Sequence, residues 1–128
     1  MKELTKAEEQ VMQVLWTIEK GVVNEMLQQF NEPKPAYNTV STIVRILEKK
    51  GFVGHKAYGK THEYFPLVTK NEYTKRYFGN FMSNYFSDSY KALASFLTND
   101  KKISIQDLEE MKKLMEEEIN KQKTKNDG

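Results

Sequence analysis

The first half of the sequence contains a run of short polar side chains at helical spacing. Asn38, Ser41, Thr42 and Arg45 recur at i, i+3, i+4 and i+7, which places them on one face of a helix. Hydroxyl, amide and guanidinium groups donate hydrogen bonds to phosphates and to base edges, and arginine can pair with guanine through two bonds. A carboxylate would repel phosphates, and this run contains none before Glu48. The chemistry available to this face is therefore that of nucleic-acid binding.

The elements around this run decide what the polar face can reach. Apolar stripes predict three helices, and aromatic and β-branched runs predict two strands joined by a Tyr58-Gly59-Lys60 turn. The first helix is expected from a Thr5–Glu8 capping box to near Gly21, the second over residues 23–30 and the third over residues 37–50; the strands are expected over residues 52–57 and 61–67. This order is a winged helix-turn-helix, in which the third helix enters the major groove and the hairpin contacts the backbone.

Basic residues are concentrated in the same region, although the whole chain of 128 residues has a net charge of only +2. Between residues 34 and 60 the sequence has one acidic residue, Glu48, and six basic residues: Lys34, Arg45, Lys49, Lys50, Lys56 and Lys60. Lysines at a helix end and at a hairpin tip would neutralise phosphates. The predicted DNA-binding residues are Asn38, Thr39, Ser41, Thr42, Arg45, Lys49, Lys56 and Lys60. An ordinary solvated surface is the alternative interpretation of the same residues.

Catalysis and cofactor binding find little support in the sequence. It has no phosphate-binding glycine loop, no His-Glu-x-x-His and no nucleophile elbow. His55 and His62 lie on the two predicted strands, but no third metal ligand accompanies them, which favours a surface or phosphate-contacting role. The absence of cysteine removes disulfides and thiolate metal sites. We therefore expect no enzymatic activity, no cofactor and no metal.

The second half of the sequence predicts helices with more apolar surface than one chain can bury. Aromatic residues recur every four positions from Tyr73 to Tyr85, and a last amphipathic helix begins at Ser104. A second copy of the chain is the expected partner, and a ligand pocket is the alternative. The predicted dimerisation residues are Tyr77, Phe81, Leu93, Phe96, Leu97, Leu108, Met111 and Met115.

These observations give a mainly α-helical chain with a small β-hairpin. The expected organisation is a winged-helix DNA-binding domain over residues 1–69, a helical dimerisation region over residues 70–122 and a disordered tail over residues 123–128. No apolar run approaches the length of a membrane span, and the charged N-terminus does not look like a signal peptide. The protein is expected in the cytoplasm, without membrane insertion.

Three stretches are informative together: LTKAEEQVMQVLW at residues 4–16, YNTVSTIVRILEKKGFV at residues 37–53 and HKAYGKTHEYFPLV at residues 55–68. As a set they resemble penicillinase repressors of the BlaI/MecI type, a family that also includes copper-responsive CopY-type repressors. The resemblance covers nearly the whole chain. It implies a homodimeric repressor that binds a palindromic operator. The cysteine motifs of the copper-responsive members are absent from this sequence.

The resemblance also implies a way of ending repression. In β-lactam-responsive members, the metalloprotease domain of a membrane sensor triggers cleavage of an Asn-Phe bond in the dimerisation region. The matching position in this chain is Ser95-Phe96, where serine replaces the asparagine. The function class that competes with a repressor is a winged-helix adaptor that binds proteins and not DNA. The carboxylate-poor third helix and the basic hairpin favour the repressor.

Overall fold

The computed structural model describes residues 3–127 and shows a mainly α-helical chain with one antiparallel β-hairpin. The elements are α1 (Lys6–Ile18), α2 (Val23–Leu27), α3 (Tyr37–Lys49), β1 (Val53–Tyr58), β2 (Thr61–Pro66), α4 (Lys70–Phe86), α5 (Tyr90–Thr98) and α6 (Ile105–Asp127). The first five elements form the winged helix-turn-helix expected from the sequence. Within the described residues the chain divides into two compact units between Gly79 and Asn80, inside α4, whereas the sequence places a domain boundary before residue 70.

The N-terminus of α1 carries the predicted capping box. The Glu8 backbone N–H donates to Thr5 Oγ1 at 3.2 Å, and the Thr5 backbone N–H donates to Glu8 Oε1 at 2.8 Å. Each bond satisfies a backbone donor that the first helical turn leaves without a partner in the helix. The start of α1 is therefore determined by local sequence.

The first unit is held together by one apolar core among its three helices and the hairpin. Residues 2 % exposed or less are contributed by α1, α2, α3 and the start of the hairpin: Val11, Met12, Leu15, Met26, Val40, Val44, Leu47, Phe52 and Val53. Ala7 of α1 is exposed, whereas Met12 lies inside this core. The stripe of α1 is centred on Val11 and Leu15, and Met12 belongs to it by the i+4 spacing from Glu8.

The hairpin is attached to the helices by a short bridge that periodicity did not predict. Gly21 and Tyr64 exchange two backbone hydrogen bonds, each of 2.9 Å, so the segment between α1 and α2 forms a third, one-residue strand. β1 and β2 pair in register from Val53 opposite Pro66 to Tyr58 opposite Thr61. Gly59 in the turn has a φ of +64°, a conformation that glycine adopts without a steric cost. This hairpin is called the wing below.

The connection after the wing is tied back to α1. The Trp16 indole N–H donates to the Val68 carbonyl at 2.8 Å, and the Trp16 ring lies 5.8 Å from that of Tyr73 in the first turn of α4. Thr69 caps α4 by accepting from the Glu72 backbone N–H at 3.1 Å. Trp16 is thus a packing residue that joins α1 to the start of α4.

The second unit has little apolar interior of its own. Ser89 caps α5 and Ser104 caps α6, through hydrogen bonds from the Ala92 and Asp107 backbone N–H groups. Among its described residues, Met82 is the one hydrophobic side chain that is fully buried. Large apolar side chains of this unit remain at the surface, namely Phe96, Ile105, Leu114, Met115 and Ile119.

The end of the chain differs from the expected disordered tail. α6 continues through residue 123 to Asp127, and Gly128 lies outside the described residues. A side-chain pair four residues apart accompanies this extension, with Gln122 Nε2 donating to Glu118 Oε1 at 3.1 Å. Pairs four residues apart stabilise a helix even where it has no apolar partner. Among the helices of residues 3–127, none has both the length and the apolar character that crossing a bilayer requires.

Candidate nucleic-acid interface

The predicted polar face of α3 lies at the surface. Val40, Val44 and Leu47 turn their side chains into the core and have no exposed area. The residues predicted to contact DNA lie on the other side of the helix: Asn38, Thr39, Thr42, Arg45 and Lys49 are exposed and Ser41 is half-buried. The helix is thus anchored by one face and presents hydrogen-bonding groups on the other.

Arg45 is oriented by its own helix. Its Nε and Nη2 atoms donate to the carbonyl and to the hydroxyl of Ser41, each at 3.2 Å. These bonds place the guanidinium along the helix surface beside the wing. A guanidinium that is already held in place loses less side-chain entropy when it binds a base or a phosphate.

A cleft of about 340 Å³ separates α3 from the inner face of the wing. Polar groups of three segments line it, with Asn24 at the start of α2, Tyr37, Ser41 and Arg45 on α3, and Lys60, Thr61, His62 and Tyr64 on the wing. Two of the side chains at its edge, Arg45 and Lys60, are cationic. The cleft has the polarity and the charge that an anionic group such as a backbone phosphate requires.

Tyr64 lines the cleft on the side of the wing, and its phenol stays protonated at neutral pH. Burial raises the pKa of the Tyr64 phenol, and the negative charge of Glu48 raises it further, whereas Arg45 opposes the rise. The phenol is 4 % exposed and remains a hydrogen-bond donor at neutral pH.

The lysines of this region divide into two groups that the sequence could not separate. Lys49, Lys56 and Lys60 are exposed, and the Lys56 ammonium lies 5.3 Å from the centre of the Tyr58 ring on the outer face of the wing. Lys50 instead forms an ion pair with buried Glu8, at 2.7 Å and 2.8 Å from its two oxygens. Lys34 donates to the Leu27 and Gln28 carbonyls. Lys50 and Lys34, which are part of the basic set but not of the predicted DNA-binding residues, are thus engaged within the protein.

The structure adds exposed residues to the surface that the sequence outlined. Ile46 is 41 % exposed on α3, Tyr37 is 50 % exposed at its start, and Tyr58 is 54 % exposed at the wing tip. The spacing of Ile46 from Thr42 and Thr39 would have placed it on the same side of the helix. The predicted DNA-binding residues are all polar or basic, so Ile46 is not among them.

The two histidines come together, as their strands suggested. The His55 and His62 rings stack with centres 4.2 Å apart and planes inclined by 9°. In the part of the chain that the structure describes, no three His, Asp or Glu side chains are grouped as ligands for a metal ion. His55 Nδ1 instead lies 2.5 Å from Glu48 Oε2 on α3.

A family model described as "Penicillinase repressor" matches residues 4–117, which is most of the chain. The chain belongs to the penicillinase repressor family, of the BlaI/MecI type. The match includes both the winged helix and the region of the later helices, so the family covers both units.

Individual family members are distant but similar over their whole length. The methicillin resistance regulatory protein MecI of Staphylococcus aureus (strain N315) is 23% identical over 114 residues, which cover 88% of this chain and 93% of MecI. The penicillinase repressor of Bacillus licheniformis is 24% identical over 123 residues, covering 94% and 95%. A solution structure of the DNA-binding domain of the repressor BlaI has 27% identity and a TM-score of 0.48, covering 57% of this chain and 94% of that domain.

Proposed function

We propose that this penicillinase repressor family member is a homodimeric transcriptional repressor that binds a palindromic operator through α3 and the wing. The observation that carries the proposal is the exposed face of α3. It presents an amide, three hydroxyls and a guanidinium, with the cleft of the wing directly beside it. Arginine in this position suits a guanine, and the threonine methyl groups suit thymine.

The wing and the end of α3 would supply the contacts that do not depend on base sequence. Lys49, Lys56 and Lys60 are exposed and free to reach phosphates on either side of the groove. Three lysines from each of two protomers would release counterions on binding. The logarithm of the affinity should then fall against the logarithm of salt concentration with a slope of roughly −5.

Dimerisation by the second unit is the next part of the proposal. Along α6, Leu108, Met111, Met115 and Ile119 follow one another at helical spacing. Leu108 and Met111 are half-buried, whereas Met115 and Ile119 are 56 % and 51 % exposed. The apolar stripe of α6 is therefore partly covered at its start and exposed toward its end. A second copy would bury this stripe together with Tyr77, Phe81, Leu93, Phe96 and Leu97.

Proteolytic release would end repression. The Ser95-Phe96 bond lies inside α5, and Phe96 is 59 % exposed. Cleavage between these residues would separate α6 from the rest of the protein and remove half of the proposed dimer interface. The proposed agent is the metalloprotease domain of a membrane sensor, and a gene for such a sensor beside this one would support it.

DNA binding is tested with fragments from upstream of the protein's own gene, by fluorescence anisotropy. Arg45→Ala and Thr42→Ala should each weaken binding by about 1–3 kcal/mol, because each removes groups that contact the operator. Arg76→Ala on α4 and Thr17→Ala on α1 are matched controls, since both residues are exposed and lie off α3. These control variants should bind as the wild type does.

Two results would contradict the proposal. If Arg45→Ala and Thr42→Ala bind as tightly as their controls, α3 is not the DNA-contacting helix. If the wild-type protein prefers no fragment over competitor DNA, the winged-helix adaptor becomes the better explanation.

A further inference from the structure

Glu48 is an unusual residue for the proposed DNA-binding surface. It is the only carboxylate of α3, and it lies near the end of the helix on the side of the wing. A carboxylate here would repel the phosphates that the surrounding lysines attract. An explanation is needed for how α3 can carry this charge and still bind DNA.

The structure places a histidine of the wing directly against this carboxylate. His55 Nδ1 is 2.5 Å from Glu48 Oε2, and the two side chains are 31% and 32% exposed. The other side of the His55 ring is covered by the parallel ring of His62 on β2. The three side chains connect α3, β1 and β2, and His62 also lines the cleft.

The charged and titratable neighbours of this group are few. From α3, Arg45 and Tyr37 line the cleft, and Arg45 and Glu48 both act electrostatically on Tyr64. From β2, the Tyr64 ring is 5.8 Å from that of His55 and 6.1 Å from that of His62, and Lys60 lines the cleft beside His62. Glu48 is thus the carboxylate that a positive charge on His55 would neutralise.

We propose that Glu48, His55 and His62 form a protonation-dependent clamp between α3 and the wing, which neutralises Glu48 and aligns the wing for DNA. The inference rests on the proposed function and names a regulation of the same surface. His55 and His62 act as positioning residues. Protonated His55 cancels the charge of Glu48 and joins the wing to the helix, while the stacked His62 ring limits the rotation of His55.

The direction of the pH effect follows from linkage. Histidine is the side chain that ordinarily changes charge between pH 5 and pH 8. DNA is a polyanion, so DNA bound beside the clamp favours the protonated, positively charged form of the clamp. DNA binding is therefore coupled to proton uptake and is stronger at lower pH. Operator affinity should therefore fall as the pH rises from 6 to 8, at constant salt.

The experiment measures operator affinity by anisotropy at pH 6, 7 and 8 for five proteins: wild type, His55→Gln, Glu48→Gln, the double variant and His55→Lys. His55→Gln should weaken binding about fivefold at pH 6, because Glu48 then faces the DNA without a partner. The double variant should bind within about twofold of Glu48→Gln, since the charge that needed a partner is gone. His55→Lys keeps a permanent positive charge against Glu48 and should bind about equally at all three pH values.

Glu63→Gln is the matched control for charge. Glu63 lies on the outer face of the wing opposite Lys56, so its removal takes away one negative charge without touching the clamp. Combined with His55→Gln, it should not restore the pH profile or the lost affinity. Melting temperatures close to that of the wild type would show that all variants are folded.

The outcomes separate the two proposals. Additive losses in the double variant, or an unchanged pH dependence in His55→Lys, would overturn the clamp while leaving DNA binding intact. If Glu48→Gln and Glu63→Gln restored the affinity of His55→Gln equally, the clamp would also be overturned, because the effect would then come from net charge alone. A wild-type protein that binds no operator would overturn the clamp together with the proposed function.

Discussion

At the scale of single residues, Glu8 connects two helices that the proposed function depends on. It is 5% exposed, closes the capping box of α1 and accepts both contacts from the Lys50 ammonium at the end of α3. Burial by itself raises the pKa of Glu8, but the hydrogen bonds from Lys50 and Thr5 outweigh it and hold the pKa below its ordinary value of 4.5. Because the folded pKa is the lower one, this carboxylate stabilises the fold above about pH 4.5 and the contribution is lost as pH falls through the folded pKa.

Lys50→Ala should therefore destabilise the protein at pH 7 by about 2–3 kcal/mol, because it leaves a buried carboxylate without its partner. The loss should shrink in acid, where Glu8 becomes protonated. Lys49→Ala, at the neighbouring exposed lysine, should change stability by less than about 0.5 kcal/mol. Urea unfolding of both variants at pH 7 and pH 4 measures the difference. Equal stability of the two variants at pH 7 would show that the Glu8–Lys50 pair contributes nothing.

At the scale of elements, α5 determines whether the Ser95-Phe96 bond can be cut. The Ser95 carbonyl accepts from Thr98 Oγ1 at 2.9 Å and from the Asn99 backbone N–H at 3.2 Å, and the Phe96 ring meets that of Phe86 edge-on at 5.7 Å. Proteases cut opened segments, so α5 has to unfold locally before cleavage. The helix thus protects the bond.

Ala94→Gly should raise the rate of cleavage at Ser95-Phe96 about fivefold, because glycine in a helix costs about 1 kcal/mol relative to alanine. The probe is a broad-specificity metalloprotease that cuts on the amino side of large apolar residues, with the products identified by mass spectrometry. Ala7→Gly in α1 is the control, since it loosens a helix of the other unit. A rate unaffected by Ala94→Gly would mean that the bond is accessible without opening α5.

At the scale of the whole molecule, the proposed dimer decides how operator half-sites are spaced. Two copies of α3 held by the second units would contact half-sites one or more helical turns of DNA apart. A variant that separates the copies should therefore lose affinity for the whole operator more than for one half-site, because the second contact is no longer intramolecular.

Met115→Glu should weaken dimerisation about 100-fold, because it would bury a charge without a partner in the proposed interface. Analytical ultracentrifugation compares the measured mass with the 15.0 kDa of one chain. Asn120→Glu, which adds the same charge to α6 outside its apolar stripe, should leave the dimer intact. A wild-type protein that sediments as a single chain at micromolar concentration would contradict the dimer, and equal effects of the two substitutions would remove the stripe from the interface.

The sequence by itself determined the features that depend on neighbours within one or two helical turns. These include the capping box of α1, the start of the last helix at Ser104, the outward direction of Asn38, Thr42 and Arg45, and the hairpin with glycine in its turn. Their partners are three to seven residues away, so spacing and residue type suffice to predict them. The resemblance to penicillinase repressors, read from longer stretches, is confirmed by the family match.

Only the tertiary structure decided which charged and polar groups are paired across the fold. Lys50 and Glu8 are 42 residues apart, and nothing in the spacing of either indicates the other. The same holds for the bridge between Gly21 and Tyr64 and for the way His55 meets Glu48. Periodicity says which face of an element is buried, but the path of the loops and the register of the hairpin decide what lies opposite that face. The pairing of Lys50 with Glu8 therefore leaves Lys49, Lys56 and Lys60 as the exposed lysines at the end of α3 and on the wing, and the packing of the wing against α3 brings His55 to Glu48.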